Sequence, residues 1–267
     1  MKIILILLSS ISLLFSSSLM RYYVDSKTDR YRGISSTEFT LGVEVFEKLL
    51  KNQALDNMLK SQLNQLQLQY EKLSDTRVIL IDRLRQGRGF YLINYGNKKN
   101  MLSIPHRFFD KKTGTIAIKL MVEQPYRAAA FNTVSRKIID QAHTRDTLFQ
   151  AFHIAYANIY PQEYMYQLHG FGKTKNKNDT TNIIVSSTTV PTTNRAKKID
   201  SCFNTIGYNS KLYGESIFEL GGTTNMQANL LRESGYWNFL HIELQYKVRE
   251  LLSKDQLSRA KFSKCIE

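Results

Sequence analysis

Cysteine is scarce in this chain of 267 residues. The two cysteines, Cys202 and Cys265, lie far apart and show no C-x-x-C spacing, so the chain has no cysteine-based metal or redox motif. In an oxidising compartment the natural expectation is one disulfide that ties the C-terminal tail to the body of the protein. Two isolated thiols are the alternative.

Other familiar signatures are missing as well. The chain has no internal repeat, and Gly87 with Gly89 is too little for a dinucleotide-binding fingerprint. Lys and Arg outnumber Asp and Glu by 37 to 23, a formal charge of +14, but the basic residues are spread thinly and no nucleic-acid motif accompanies them. Nucleic acid is therefore not expected as a partner. Anionic glycans, cell-wall polymers or lipid head groups suit the charge of an exported protein better.

The only long apolar run stands at the start of the sequence. Lys2 is followed by the apolar run Ile3 to Leu8 and by small residues up to Ser18, which predicts a signal peptide over residues 1–18. Serines at positions 9, 10 and 12 dilute the run, so no stable membrane span is expected after cleavage. An uncleaved anchor is the alternative. The mature protein is expected to be exported, either periplasmic or secreted.

The rest of the chain suits a lead-in followed by one globular domain. Apolar positions between Leu41 and Leu73 recur every three or four residues and predict one or two amphipathic helices. We therefore expect a lead-in and helical segment over residues 19–75 and an α/β hydrolase-like domain over residues 76–267. The helices either pack on this domain or form a partner-binding arm.

Short apolar runs alternate with helical patterns from Phe90 onward, which predicts an α/β fold. Its expected architecture has three layers, with a mainly parallel or mixed central sheet and helices on both faces. The predicted strands are 90–94, 101–104, 128–132, 164–168, 182–187 and 239–244. The predicted helices are 115–122, 144–160 with Thr144 or Asp146 as its cap, one after Pro191, and one from Gln245.

Two histidines follow such strands directly, and strand ends are where α/β proteins assemble their sites. His106 comes after the run ending at Ile104, and His169 ends the run that starts at Tyr164. Asp110 lies four residues beyond His106, so both could face one ion. Histidines and a carboxylate are the ligands that catalytic zinc uses, which makes His106, Asp110 and His169 candidates for one Zn²⁺.

A carboxylate near the last predicted strand is the candidate general base. Glu243 stands among Ile242 and Leu244, and a carboxylate is costly to bury there unless it is paired or functional. An ion pair with Arg136 or Arg249 is the structural alternative. A lone histidine after an apolar strand, such as His106 or His169 taken singly, is more often a hydrogen-bonded core residue than a metal ligand.

The remaining histidines compete for related roles. His143 precedes a capped helix and could be a ligand, a donor in the transition state or an orienting group. His153 shares a helical face with Phe149 and favours a core role. His241 shares a sheet face with Glu243 by strand alternation, so it could touch the site or only pack beside it. Arg136 and Arg249 could each hold a substrate carboxylate with a two-pronged hydrogen bond, or could be solvated at the surface.

Taken together, these motifs resemble zinc-exopeptidase-fold hydrolases over roughly residues 90 to 250. Within that fold they are similar to N-formylglutamate amidohydrolases, poly-γ-glutamate hydrolases and cell-wall amidases. The segments that carry the resemblance are Pro105-His106 with Asp110, Asn132-Thr133 with Arg136, Asp140 to His143, Gln167 to Phe171, and His241-Ile242-Glu243 with Arg249. Position 109, where the carboxypeptidase branch has its acidic ligand, is Phe, so Asp110 is the nearest acid.

The resemblance implies one zinc ion on His106, Asp110 and His169, with Glu243 acting in catalysis. His143 is added as a second catalytic candidate, and Asn132, Arg136 and Arg249 as substrate-binding candidates. The expected activity is hydrolysis of an amide in a peptide-like, γ-glutamyl-like or cell-wall-derived substrate that bears a carboxylate. The alternative is a non-catalytic exported protein on the same scaffold that binds anionic cell-envelope polymers.

Overall fold

The computed structural model describes residues 18–176 and 179–267. The predicted signal peptide, residue 18 excepted, lies outside the described residues. Among the residues described, none of the helices combines the length and the apolar composition that a membrane span needs.

In the described ranges nine strands form one mixed sheet, in the order β1-β2-β3-β5-β4-β6-β9-β7-β8. The pairs β5-β4, β4-β6, β6-β9 and β7-β8 are parallel, and the other neighbours are antiparallel. The strands are β1 Leu68–Ser74, β2 Arg77–Asp82, β3 Phe90–Asn94, β4 Lys99–Ile104, β5 Tyr126–Phe131, β6 Met165–Phe171, β7 Ile183–Ser186, β8 Ser210–Leu212 and β9 Phe239–Gln245.

Helices cover both faces of the sheet, which confirms the predicted three-layer α/β fold. Residues 18–25 are helical and are called α1. The others are α2 Ser36–Leu50, α3 Asn57–Gln65, α4 Thr113–Glu123, α5 Leu148–Ile159, α6 Asn194–Thr205, α7 Met226–Glu233, α8 Tyr246–Lys254 and α9 Gln256–Ile266. One hydrophobic core lies between the sheet and α1, α4, α6, α8 and α9, and a second lies between the sheet and α2, α3, α5 and α7.

The helical prediction for residues 41–73 is wrong over its last part. Helix α3 ends before Leu66, Gln67 takes a left-handed φ of 59°, and the chain then turns into the edge strand β1. Strand β1 pairs with β2 as a hairpin, so the boundary predicted after residue 75 falls in the turn of that hairpin. Helix α2 buries Phe46 against Phe152 of α5.

Contacts with distant residues hold the lead-in against the rest of the protein. Arg107 donates from Nη1 to Ser26 Oγ at 2.8 Å and stacks its guanidinium 3.7 Å above the ring of Tyr23, and Thr28 forms a β-bridge with Val134. These contacts hold residues 23–28 beside the loops that follow β4 and β5.

The structure decides two smaller predictions, the disulfide and the start of helix α5. Cys202 and Cys265 form a disulfide that joins α6 to α9. Helix α5 starts later than predicted, because Thr147 is its cap and accepts from the backbone of Gln150. The hydroxyl of Thr144 donates instead to the backbone oxygen of Asp140.

Candidate metal centre

The candidate site lies where the order of the strands reverses. From β4 the chain crosses to β5 on one side and then to β6 on the other, which opens a crevice at the carboxyl ends of these parallel strands. A cleft of 430 Å³ occupies this position. Its lining includes His106, Asp110, Arg136, His143, His169, His241 and Glu243.

Three buried side chains meet at the bottom of the cleft. The Asp110 Oδ2 atom lies 3.5 Å from His106 Nδ1 and 3.4 Å from His169 Nδ1. The four-residue spacing works because the backbone N–H of Asp110 donates to the carbonyl of His106 at 2.8 Å, which closes a single turn. His169 reaches the same point from β6.

The other ring nitrogen of each histidine is already engaged. His106 Nε2 donates to Asp140 Oδ1 at 2.7 Å, and His169 Nε2 donates to Gln167 Oε1 at 2.7 Å. In the neutral rings the Nδ1 atoms therefore carry lone pairs, and His106 Nδ1 is buried without a hydrogen-bond partner. When both rings are neutral, three acceptor atoms face one another with no donor among them, and a proton on His106 or a metal cation would satisfy them.

The protonation states of the three groups depend on one another. Burial lowers the pKa of His106, but the hydrogen bonds and charges of Asp110 and Asp140 outweigh burial and raise it above the usual value. Burial and the neighbouring His241 lower the pKa of His169 to about 4, so its imidazole is neutral at pH 7. Although burial opposes ionisation of Asp110, the two histidines hold the pKa of its carboxyl well below the usual range.

Zinc fits this donor set. A tetrahedron built on the usual zinc–nitrogen and zinc–oxygen lengths has an edge of about 3.3 Å, close to the two separations from Asp110 Oδ2. Two imidazoles and one carboxylate also leave a fourth position, as in catalytic zinc sites. Asp140 would act behind His106 as the carboxylate that orients a ligating histidine.

His169 belongs to a second group of possible ligands, which it forms with His241 and Glu243. Gln167 takes up Nε2, so only one nitrogen of His169 remains for a cation, and that nitrogen faces Asp110. We therefore assign His169 to the first group. His241 Nε2 lies 3.2 Å from Glu243 Oε1, whereas Glu243 Oε2 is buried without a partner.

Two further predicted residues line the cleft. Arg136 donates from Nη2 to Asp140 Oδ2 at 2.8 Å and keeps 34% of its side chain exposed. His143 is exposed and donates from Nδ1 to the carbonyl of Thr224 at 3.1 Å. Both are placed to meet a molecule that enters the cleft.

Asn132 and Arg249, also predicted to bind substrate, hydrogen-bond to backbone carbonyls. The amide nitrogen of Asn132 donates to the carbonyls of Pro105 and Val134. Arg249 donates to the carbonyls of Lys111, Phe171 and Leu244. Both side chains hold loops around the site together.

Asp140 and Gln167, the hydrogen-bond partners of the two histidines, were not predicted to have a role in the site. Asp140 and Gln167 both stand inside the motifs that carry the family resemblance. For Gln167 a signal was available, because it precedes His169 by two residues in β6 and so shares its face of the sheet. For Asp140 the sequence gives no sign that it returns to His106.

No family model matches this chain, and no curated protein matches its sequence. Among solved structures it is similar to a zinc-free apo form of YndL, with 15% identity and a TM-score of 0.43 over 67% of this chain and 87% of that one. It is similar to a bacteriophage poly-γ-glutamate hydrolase, with 11% identity and a TM-score of 0.39 over 73% of this chain and 88% of that one. It is also similar to a proposed metallopeptidase from Shewanella amazonensis SB2B, with 8% identity and a TM-score of 0.44 over 78% of this chain and 89% of that one. At these values the similarities carry no argument about activity or metal.

Proposed function

We propose that this protein is an exported zinc-dependent hydrolase of the amidohydrolase or peptidase type. The observation that carries the proposal is the convergence of three buried acceptor atoms, on His106, Asp110 and His169, in one cleft with the unpartnered oxygen of Glu243. A zinc ion held there supplies Lewis-acid chemistry, because it polarises a carbonyl and lowers the pKa of a water molecule.

Glu243 is the proposed general base. Its Oε1 atom lies 3.2 Å from His241 Nε2, which holds the carboxylate in place, and its Oε2 atom has no partner. Oε2 can accept the proton of the attacking water and pass it to the amide nitrogen that leaves. His143, at the exposed side of the cleft, is the second candidate for proton transfer or for a hydrogen bond to the reacting carbonyl.

Arg136 is the proposed anchor for a substrate carboxylate. Within the described part of the chain its guanidinium makes one hydrogen bond, from Nη2 to Asp140, and lies 5.2 Å from the centroid of the Phe109 ring, while a third of the side chain faces solvent. A guanidinium binds a carboxylate through two parallel N–H bonds, which would orient a γ-glutamyl-like or other peptide-like substrate in the cleft. Export is supported by the disulfide between Cys202 and Cys265, because such bonds persist outside reducing compartments.

Metal analysis and hydrolysis assays test the proposal together. We expect about one zinc per chain in the wild type, little in His169→Ala, and full zinc content with no hydrolysis in Glu243→Gln. The substrates are α- and γ-linked glutamyl peptides and N-acyl amino acids, and Glu250→Gln, a change outside the cleft, is the control. A wild type that takes up no zinc but binds anionic cell-envelope polymers in a salt-sensitive way would contradict the proposal and favour a binding protein.

A further inference from the structure

A buried polar network lies behind His169, and no step of the proposed chemistry uses it. Its members are Ser103, His153, Gln167, Asn225 and Gln227, of which none exposes more than 2% of its surface. Polar groups at such depth are costly unless they are paired, and these are connected to one another and to the backbone. The direction of each hydrogen bond can be deduced from backbone groups at the ends of three branches.

The first branch starts at the backbone carbonyl of Gln141, which can only accept. Gln227 donates to it from Nε2 at 2.7 Å, so Oε1 of the same amide is an acceptor. Gln167 donates from Nε2 to that Oε1 at 3.1 Å. One of the two protons on Gln167 Nε2 is therefore used in the bond to Gln227.

The second branch starts at the backbone N–H of Ala228, which can only donate. Asn225 accepts this bond through Oδ1 at 3.0 Å as the cap of helix α7. Its amide nitrogen therefore points the other way and donates to Gln167 Oε1 at 2.5 Å. This branch therefore identifies the amide atom of Gln167 that faces Asn225 as the oxygen, independently of the first branch.

The third branch starts at the backbone carbonyl of Phe149, which accepts from His153 Nδ1 at 2.6 Å. Burial lowers the pKa of His153 to about 4, so the ring is neutral and its Nε2 is an acceptor. Ser103 Oγ lies 2.7 Å from this Nε2 and donates to it. The same hydroxyl accepts the second proton of Gln167 Nε2 at 3.1 Å.

All three branches give Gln167 the same orientation. Nε2 uses both protons, towards Ser103 and Gln227, and Oε1 accepts from Asn225 and from His169 Nε2. A reversed amide would set oxygen against oxygen at Gln227 and nitrogen against nitrogen at Asn225. The network therefore determines which nitrogen of His169 carries the proton.

We propose that Gln167 is a positioning residue that fixes His169 with its proton on Nε2 and the lone pair of Nδ1 towards Asp110, before any metal binds. The buried residues behind Gln167 keep it in that role. The tautomer follows from contacts within the chain alone, and its use for holding zinc rests on the proposed function. The network also explains why His153 and Gln227 are polar in the core.

Nitrogen-15 NMR of the zinc-free protein at pH 7 measures the tautomer directly. We expect His169 to be the Nε2–H form, with its signals assigned by their loss in His169→Asn. In Gln167→Met, which keeps the volume but removes the amide, the ring should become a mixture of tautomers, and zinc affinity should fall about 10- to 100-fold. Gln150→Met is the matched control, because this buried amide has no hydrogen-bond partner.

A second variant covers the case in which Gln167→Met does not fold. Asn225→Asp keeps the oxygen that caps α7 but cannot donate to Gln167, so it should shift the tautomer and weaken zinc binding without removing the helix cap. An Nδ1–H tautomer in the wild type, or a tautomer and affinity unchanged within twofold in both variants, would overturn the proposal. The expected tautomer in a wild type that binds no zinc would contradict the proposed hydrolase and support the positioning role.

Discussion

The two histidines of the candidate zinc site are held from behind by different kinds of partner. His106 donates to Asp140, a carboxylate that is 24% exposed and is also paired with Arg136. His169 donates to the amide of Gln167, which is fully buried. Two histidines that we propose as ligands of one ion are thus oriented in different ways, His106 by a charged partner beside the cleft and His169 by neutral hydrogen bonds in the core.

The two kinds of support respond differently to their surroundings. A carboxylate raises the basicity of the histidine it holds, and a charge near the surface is sensitive to salt and pH. A neutral amide network leaves the charge of His169 unchanged and depends on packing and hydrogen-bond geometry. We call His106 with Asp140 the His106 half of the site, and His169 with Gln167 the His169 half. The proposed variants change both halves, the contacts that join them, or one half alone.

Asp110→Asn should have the largest effect, because Asp110 faces both histidines. Replacing the charged ligand with a neutral amide should weaken zinc binding on the order of a thousand-fold, beyond the 10- to 100-fold expected for partners behind the ligands. Chelator competition measures the dissociation constant. Asp75→Asn, at an exposed turn, is the control, and a loss below tenfold would show that Asp110 is not a ligand.

Arg249→Lys tests the link between the halves. The guanidinium binds the carbonyl of Lys111, next to Asp110, and that of Phe171, at the end of β6. Lysine cannot reach both, so the free energy of unfolding should fall by about 2–3 kcal/mol in urea titrations of the zinc-free protein. Arg145→Lys, which alters an exposed pair with Glu233, should change it by less than about 0.5 kcal/mol. Equal effects of the two variants would refute the role given to Arg249.

Asp140→Asn acts on the His106 half alone. We expect zinc affinity to fall about 10- to 100-fold, because the ring loses the carboxylate that orients it and increases its basicity. The loss should shrink as salt screens the charge, whereas the loss caused by Gln167→Met should not. Titrations at low and high salt distinguish the halves, and an identical salt response would contradict the comparison.

The pH dependence of zinc binding should come from His106 and its partner Asp140. The pKa of His106 is raised above its usual value, so protons compete with zinc as the pH falls through that pKa. The affinity should then drop by about tenfold per pH unit, and His169, with a pKa of about 4, adds nothing above about pH 5. In Asp140→Asn the onset should move to lower pH. An unshifted onset would mean that Asp140 does not raise the pKa of His106.

The sequence predicted the parts of the molecule whose pattern is local. The strands that contain Ile104 and Leu168 are rich in apolar residues, which predicts that His106 and His169 lie at or near the carboxyl ends of these strands. The turn between His106 and Asp110 follows from a spacing of four. Together these features predicted that His106, Asp110 and His169 lie in one cleft.

The rest depends on contacts between distant segments. Strand β1 was predicted as helix because its apolar residues continue the spacing of α3, and only pairing with β2 decides otherwise. Asp140 meets His106 from 34 residues away, and Arg249 finds carbonyls of three segments. Neither partner leaves a trace in local periodicity.

The zinc site is best tested by a crystal structure of the zinc-loaded protein, with anomalous data collected at the zinc edge. We expect one peak, about 2.0–2.2 Å from His106 Nδ1, His169 Nδ1 and a carboxylate oxygen of Asp110. A peak on other side chains, or no peak at saturating zinc, would contradict it.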